Sequence, residues 1–280
     1  MSRALVLGGG GLAGIAWEIG LLAGLRERGV DITDADVVVG TSAGSVVGAL
    51  IAHGASLPDL HAAQLANGDG LEKPIDIDME RLGLAFLEAT SGATSPREVR
   101  ARIGALALAT DTVPEAERRE IIAARLPSHE WPRRTLLVTA VDATSGDWVA
   151  FNRGSGVGLV DAVSASCAVP GVWPPVTIDG ARYVDGGVRS ITNADLAEGC
   201  DRVLIVAPLL PPAGSPFPGV TEEVQQLERS ARVHLVSADE ASTAAFGVNP
   251  LDPATRPESA TAGYRQAAAV ADEVRALWSS

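Results

Sequence analysis

The clearest pattern in this chain of 280 residues is Val37-Val38-Val39-Gly40-Thr41-Ser42-Ala43-Gly44. Three consecutive β-branched valines predict a short buried strand, and the apolar residues 45–52 predict a helix directly after the turn. A Gly-x-Ser-x-Gly turn between a strand and a helix is typical of a nucleophile elbow, which lifts its serine above the edge of a sheet. Gly40 and Gly44 would let neighbouring backbone pass close to this turn. Ser42 is therefore the candidate nucleophile.

A second glycine-rich turn lies near the N-terminus, between a strand predicted at residues 4–7 and a helix predicted at residues 15–28. Its Gly9-x-Gly11-x-x-Gly14 spacing matches the dinucleotide-binding fingerprint. A dinucleotide site would need an acidic residue at the end of the second strand, where this chain has the serine turn instead. Backbone amides of Gly9, Gly10 and Gly11 at a helix N-terminus would equally well face a developing oxyanion. We favour the oxyanion interpretation over NAD binding.

Composition and charge limit the classes of function. With 46% hydrophobic and 20% charged residues, the chain predicts a globular domain with a sizeable core. The net charge of −13 argues against a nucleic-acid partner. Cys167 and Cys200 suggest neither a disulfide framework nor a metal site, and we predict no metal and no cofactor. We find no signal-peptide pattern and no apolar run long enough to span a bilayer, and therefore expect a cytoplasmic protein.

The order of the predicted elements favours an α/β fold. Alternating strands and helices in the first 52 residues are typical of a parallel sheet, with both glycine-rich turns at one edge. Residues 55–132 carry helical patterns and predict an insertion or cap over that edge. Later elements are strands at 135–141 and 148–151, a hairpin at 177–184, buried strands at 202–207 and 232–237, a proline-rich loop at 208–219 and an amphipathic helix at 260–278. We predict a single domain over residues 1–280.

The second candidate catalytic group is the aspartate of Asp185-Gly186-Gly187, at the end of the predicted hairpin. Alone this motif is a common turn, but here it follows a glycine loop and a serine elbow in the same chain. A nucleophilic serine needs a base, and His234 would complete a Ser-Asp-His order typical of α/β-hydrolases. Its strand-like surroundings favour a structural role instead. The alternative is Asp185 itself, because partial desolvation makes a carboxylate more basic.

Taken together, these motifs resemble the patatin-like phospholipases and lipid acyl hydrolases. The resemblance rests on Gly9-Gly10-Gly11-Leu12-Ala13-Gly14, on the serine elbow, on Asp185-Gly186-Gly187 and on Ser164-Ala165-Ser166-Cys167-Ala168-Val169-Pro170. The last of these is similar to the family's Ala-Ser-x-Ala-x-Pro block. The chain departs from the family at Ala13, where the family usually carries arginine or lysine.

The resemblance implies a three-layer α/β/α fold with a central, mostly parallel sheet. It implies a catalytic dyad of Ser42 and Asp185, and an oxyanion hole formed by backbone amides around Gly10 and Gly11. The implied activity is that of a serine acyl hydrolase of the phospholipase A, lysophospholipase or esterase type, which cleaves lipid esters through an acyl-enzyme. Such a substrate is compatible with transient contact with a membrane surface.

Two further expectations concern the details of the site. From their positions alone, Leu12, Ile15 and Trp173 are expected to line the acyl-chain site. Substrate selection is expected to lie in residues 55–132. Two alternative functions remain open, namely an esterase with a triad that uses His234, and a non-catalytic nucleotide-binding or scaffold protein that uses the glycine loop. No oligomeric state follows from the motifs.

Overall fold

The computed structural model describes residues 1–66, 70, 72–75, 77–211 and 219–279. Its strands form one sheet and are β1 (Arg3–Leu7), β2 (Val37–Gly40), β3 (Thr135–Asp142), β4 (Trp148–Phe151), β5 (Val176–Ile178), β6 (Ala181–Asp185), β7 (Arg202–Ala207) and β8 (Arg232–Ser237). Their order is β5-β6-β3-β2-β1-β7-β8, with β4 paired to β3. The pairs that join β1, β2, β3, β7 and β8 are parallel, and the other pairs are antiparallel. The predicted central, mostly parallel sheet is confirmed.

Helices precede, interrupt and follow the strands. In the described residues they are α1 (Gly11–Glu27), α2 (Ala43–Ala52), α3 (Leu57–Leu65), α4 (Met79–Thr90), α5 (Pro96–Ala109), α6 (Glu115–Arg125), α7 (Leu159–Ser166), α8 (Val220–Leu227), α9 (Glu240–Ala245) and α10 (Arg256–Ser279). Helices α3 to α6 occupy the segment for which the sequence predicts a helical insertion. Of the predicted proline-rich loop at 208–219, residues 212–218 lie outside the described residues.

The sheet separates two apolar layers, because successive side chains of a strand point to opposite faces. Leu5 and Leu7 of β1 belong to the larger apolar cluster, which includes residues of α1, α2, α7 and α10. Ala4 and Val6 of the same strand belong to a second cluster, together with residues of α8 and of a short helical turn at 194–197. The predicted three-layer α/β/α architecture is therefore confirmed.

The pairing of β3 brings two distant parts of the chain together. One edge of β3 pairs with β4, including Ala140 with Val149. The other edge pairs with β2 as far as Val138, opposite Gly40, and then with β6, where Ala140 lies opposite Asp185. On this edge of β3, β6 therefore pairs with the residues that lie beyond the end of β2. As a result, Asp185 lies directly beyond the end of the strand that leads into the serine turn.

The first and last helices pack against each other at close range. A Cβ added at Gly20 would lie 2.1 Å from the Ala260 carbonyl oxygen, and one added at Gly263 would lie 2.2 Å from that of Trp17. Only glycine permits two helix backbones to approach so closely. Both helices also begin four residues earlier than predicted, at Gly11 and Arg256.

One predicted strand differs from expectation in its burial. Residues 232–237 form a strand as predicted, but β8 is mostly half-buried and its Arg232 is exposed. The reason is its position, since β8 is the terminal strand of the sheet and pairs with β7 alone. In the described parts of the chain, no helix has both the length and the apolar character needed to cross a bilayer.

Candidate active site

Ser42 occupies a strained turn between β2 and α2. Its backbone has φ 52° and ψ −116°, in the left-handed region that residues other than glycine rarely adopt. The Ser42 amide donates a hydrogen bond to Ser166 Oγ at 2.9 Å, and its carbonyl oxygen accepts one from Ser45 Oγ at 2.6 Å. These bonds help to hold the turn in the strained conformation, which is the geometry expected of a nucleophile elbow.

The glycines that flank Ser42 are required by close backbone contacts. A Cβ at Gly44 would lie 2.0 Å from the Leu7 carbonyl oxygen, and one at Gly40 would lie 2.6 Å from the Gly44 carbonyl oxygen. The Gly44 amide also donates to the carbonyl oxygen of Gly8 at 3.0 Å. The predicted close approach of neighbouring backbone is confirmed, and it joins the serine turn to the glycine loop after β1.

The glycine loop presents two backbone amides beside Ser42. Gly9 lies closest to the serine, since a Cβ added there would lie 3.6 Å from Ser42 Cβ. However, the Gly9 amide already donates to the Ile191 carbonyl oxygen at 2.8 Å, so Gly9 was wrongly predicted as an oxyanion donor. In the described part of the chain, the amides of Gly10 and Gly11 have no acceptor. They stand at the N-terminus of α1, where its dipole favours negative charge.

Asp185 ends β6 as a buried carboxylate. Its Oδ1 accepts a hydrogen bond from the Gly187 amide at 2.7 Å, whereas its Oδ2 is buried with no partner among the described residues. Burial raises the pKa of Asp185 from 3.8 to about 7, against smaller lowering effects of the Gly187 amide and the nearby Ser42 hydroxyl. That hydroxyl is close enough to favour the charged carboxylate, but it does not complete a hydrogen bond of standard geometry to Oδ2.

The segment from Ser164 to Pro170 holds both candidate groups in place. Besides the Ser166 hydroxyl already described, the Cys167 thiol lies 3.4 Å from the Ser42 carbonyl oxygen. The Asp185 amide donates to the Ala168 carbonyl oxygen at 3.0 Å. Burial raises the pKa of Cys167 to about 11, so that this cysteine is an uncharged packing group. In the sequence this segment is noticed only through the family resemblance.

A buried polar network that the sequence does not reveal lies beneath the site. Asn193, itself in the left-handed region with φ 51°, donates through its side-chain amide to Thr41 Oγ1 at 3.0 Å and to the Ser190 carbonyl oxygen at 2.7 Å. Longer contacts of 3.3 Å reach Thr139 Oγ1 and the Gly186 carbonyl oxygen. The network links the residue before Ser42 to the residue after Asp185. Its only signal in the sequence is an asparagine in a turn, a frequent arrangement.

An apolar cavity of about 400 Å³ opens onto both candidate groups. Ser42, Asp185 and the glycine loop form its floor. Its walls are mostly apolar side chains, among them Met79, Leu82 and Phe86 of α4, and Ile191, Leu209 and Leu251. Cavities of this size and lining are typical of sites for apolar small molecules. Helix α4, from the predicted insertion, therefore covers the candidate site.

Three residues expected in the acyl-chain site lie elsewhere. Leu12, Ile15 and Trp173 do not line the apolar cavity; they line a second, narrower cavity on another side of Ser42. Leu12 and Ile15 belong to α1, whereas the apolar cavity is lined by Met79, Leu82 and Phe86 of α4. The second cavity also contains arginine side chains of α6.

The structure does not bring His234 to Ser42. His234 lies within β8, three strands from β2, and its Nε2 is 3.4 Å from Glu273 Oε2 in α10. The acidic residue that a dinucleotide site needs at the end of β2 is not supplied by Asp36, which precedes this strand and accepts a hydrogen bond from the Arg3 amide. Within the described ranges, no three His, Cys, Asp or Glu side chains are grouped as a metal site would require.

Comparisons with known proteins place this geometry in a family context. The family model described as patatin-like phospholipase matches residues 5–198. An uncharacterised NTE family protein of Mycobacterium tuberculosis is 31% identical over 185 residues, which are 66% of this chain and 42% of that protein. Lysophospholipase NTE1 of Chaetomium globosum is 46% identical over 68 residues, which are 24% of this chain and 4% of that protein.

A solved structure gives a further, weaker likeness. VipD from Legionella pneumophila has a TM-score of 0.48 and 16% sequence identity, over 97% of this chain and 66% of VipD. The chain spans less than half the length of the mycobacterial relative that it matches. Because the family model covers more than half of the chain, this protein belongs to the patatin-like phospholipase family.

Proposed function

We propose that this protein is a serine acyl hydrolase that cleaves carboxylic esters of lipids, with Ser42 as nucleophile and Asp185 as general base. The observation that carries the proposal is the pairing of a strained serine turn with a buried carboxylate, both at the floor of one apolar cavity; the Oδ2 of that carboxylate has no hydrogen-bond partner among the described residues. The fungal relative is named a lysophospholipase, which supports a lipid substrate.

In the first half of the reaction, Asp185 accepts the hydroxyl proton while Ser42 Oγ attacks the ester carbonyl. The carbonyl oxygen becomes an oxyanion, which the amides of Gly10 and Gly11 stabilise with the positive end of α1. Collapse of this intermediate breaks the bond to the alcohol oxygen. Protonated Asp185 donates its proton to that oxygen, the alcohol leaves, and an acyl-enzyme remains on Ser42.

In the second half, Asp185 removes a proton from water, which attacks the acyl carbon. The same two amides stabilise the second oxyanion. Its collapse breaks the bond to Ser42 Oγ, which takes back the proton from Asp185, and the fatty acid leaves. A carboxylate whose pKa lies near the working pH is suited to both proton transfers. The acyl chain occupies the apolar cavity during both halves.

Reaction with a fluorophosphonate, followed by mass spectrometry of the peptides, tests the nucleophile. We expect a single adduct on Ser42, much slower labelling of Asp185→Asn, and no labelling of Ser42→Ala. Turnover of p-nitrophenyl esters should follow the same order and should depend on chain length, because the cavity is finite. Asp179→Asn, an exposed aspartate in the same hairpin, is the matched control and should retain wild-type labelling.

The opposite results would contradict the proposal. An adduct on a different serine, or equal labelling of the wild type and Asp185→Asn, would remove the dyad. Absence of both adduct and turnover in folded protein would refute the proposal that this protein is a hydrolase. Retention of turnover by Ser42→Ala would point to a different nucleophile.

A further inference from the structure

A second cavity adjoins Ser42 and has a different chemical character. It shares Gly11, Ser42, Val169 and Leu251 with the apolar cavity, so the two meet at the candidate nucleophile. Its lining differs in containing charged side chains, namely Arg118 and Arg125 from α6 and Glu72 from the segment before α4, besides apolar ones. We call this space the cationic cavity. No basic side chain comes from the glycine loop itself, where position 13 is alanine.

The charges around the cationic cavity do not balance. Arg118 Nη1 lies 2.5 Å from Glu72 Oε1, and Arg125 Nη2 lies 2.8 Å from the same oxygen. The side chains are 7%, 8% and 3% exposed for Arg118, Arg125 and Glu72, so all three groups are buried. Two guanidinium groups thus face one carboxylate, so the charged side chains that line this cavity carry a surplus of one positive charge. A buried charge without a counter-charge destabilises the fold. An anionic ligand would supply the counter-charge and remove this cost in free energy.

Arg118 also keeps a donor unused. Its guanidinium stacks on the Trp173 ring at 3.8 Å from the ring centroid, which fixes the plane of the group. Its Nε is buried and has no hydrogen-bond partner in the described part of the chain. A clamp that only fastens the Glu72 segment would need one arginine and would leave no buried donor unsatisfied. The second arginine and the free Nε therefore call for a ligand.

The size of the cationic cavity limits what can enter. Its free volume of about 20 Å³ is enough for a group of roughly the size of one water molecule. One oxygen of an anion fits such a space, while the remainder of the ligand stays at the mouth beside Ser42. Phosphate and carboxylate are the anions whose oxygens match a guanidinium.

We propose that the cationic cavity binds an anionic oxygen of the alcohol part of the substrate, a phosphate or carboxylate close to the ester. This inference rests on the proposed function. The acyl chain then extends into the apolar cavity, the ester carbonyl lies at Ser42, and the anionic group reaches Arg118 on the other side. The preferred substrate is an amphiphile with one acyl chain and an anionic head group, such as an acyl glycerol phosphate.

The test compares two substrates that differ only in the anionic group. We would measure kcat/KM for 1-octanoyl-glycerol 3-phosphate and for 1-octanoyl-glycerol, and take their ratio. We expect the wild type to prefer the phosphate ester and Arg118→Met to lower the ratio by about 10-fold to 100-fold, the effect of losing a charged hydrogen bond. Arg119→Met is the matched control. Arg119 is the next residue in the chain, but its side chain is half-exposed and pairs with Asp161, away from the cavity.

Glu72→Gln distinguishes a ligand site from a structural clamp. Among the described residues it removes the only carboxylate paired with both arginines, so an anion site predicts a higher ratio and a clamp predicts an unchanged or lower one. An unchanged ratio in Arg118→Met, or an unchanged or lower ratio in Glu72→Gln, would overturn the inference while leaving ester hydrolysis at Ser42 intact.

A binding measurement decides the question without turnover. We would titrate sn-glycerol 3-phosphate and inorganic phosphate into Ser42→Ala, with and without Arg118→Met. The inference requires binding of glycerol phosphate that Arg118→Met weakens about 10-fold or more. Equal affinity for inorganic phosphate would identify a site for free phosphate and overturn the assignment to a substrate head group. Absence of binding would overturn the site itself, and failure of both esters to react would instead overturn the proposed function.

Discussion

Replacement of Asp185 by asparagine should become more stabilising as the pH rises. The carboxylate is buried, its Oδ2 has no hydrogen-bond partner in the part of the chain that the structure describes, and burial raises its pKa to about 7 from an ordinary value of 3.8. A raised carboxyl pKa means that the folded protein resists ionisation more strongly than the unfolded chain does. Ionisation of Asp185 therefore lowers the free energy of unfolding.

The size of this effect follows from the two pKa values. Below pH 3.8 the carboxyl is protonated in both states, and its ionisation costs nothing. Between pH 3.8 and about 7 only the unfolded chain ionises, so the cost grows with pH, and above about 7 it is constant. At 1.36 kcal/mol for each pH unit, the full cost is about 4 kcal/mol. Between pH 5 and pH 8 the stability gain of Asp185→Asn should increase by about 3 kcal/mol.

Urea unfolding of the wild type and Asp185→Asn at pH 5 and pH 8 provides the measurement. Asparagine also places a buried amide where Oδ2 lies, which subtracts a constant 1–3 kcal/mol at both pH values, on the order expected for an unpaired donor. The change with pH is therefore the informative quantity. Asp179→Asn, in the exposed turn of the same hairpin, should change stability by less than about 1 kcal/mol at either pH. A pH-independent difference for Asp185→Asn would refute the reasoning.

Two further predictions follow from the same geometry. Only the ionised Asp185 accepts a proton. Therefore kcat/KM for a p-nitrophenyl ester should rise about tenfold for each pH unit up to about pH 7 and level off above it. A flat profile from pH 5 to pH 8 would exclude Asp185 as the base. In the same urea experiment, Gly44→Ala should destabilise the fold by about 3 kcal/mol or more, because its Cβ would lie 2.0 Å from the Leu7 carbonyl oxygen. Gly83→Ala in α4 should instead stabilise the fold by about 0.5–1 kcal/mol, because a Cβ there would have no neighbour within 4 Å.

Local patterns made much of the fold predictable from the sequence. Three valines before a glycine identify β2, and the serine turn is recognisable because strand, turn and helix signals all fall within a few residues. The turn at Asp179 and Gly180 is predictable for the same reason, and both residues do have positive φ, of 51° and 83°. Periodicity and turn chemistry act over such short distances, so one sequence is enough to read them.

The parts of the site that depend on distant contacts were beyond the reach of these patterns. Nothing near Asp185 in the sequence reveals that β6 pairs with the same edge of β3 as β2 does, beyond the end of β2. Engagement of the Gly9 amide by the Ile191 carbonyl is another long-range event, and it overturned one predicted oxyanion donor. In the sequence, Arg118 and Arg125 resemble ordinary surface charges of a helix, because their ion-pair partner, Glu72, belongs to a separate segment.

The support of the glycine loop has a consequence for biosynthesis. The Ala13 amide, in the first turn of α1, donates to the Pro250 carbonyl oxygen at 3.0 Å, and α1 itself packs along α10. The serine turn therefore leaves the ribosome long before the residues that support the glycine loop beside it. Contacts between such distant positions form late in folding. In a nascent chain, the glycine loop beside Ser42 should therefore lack this support until residues 250–279 have been translated.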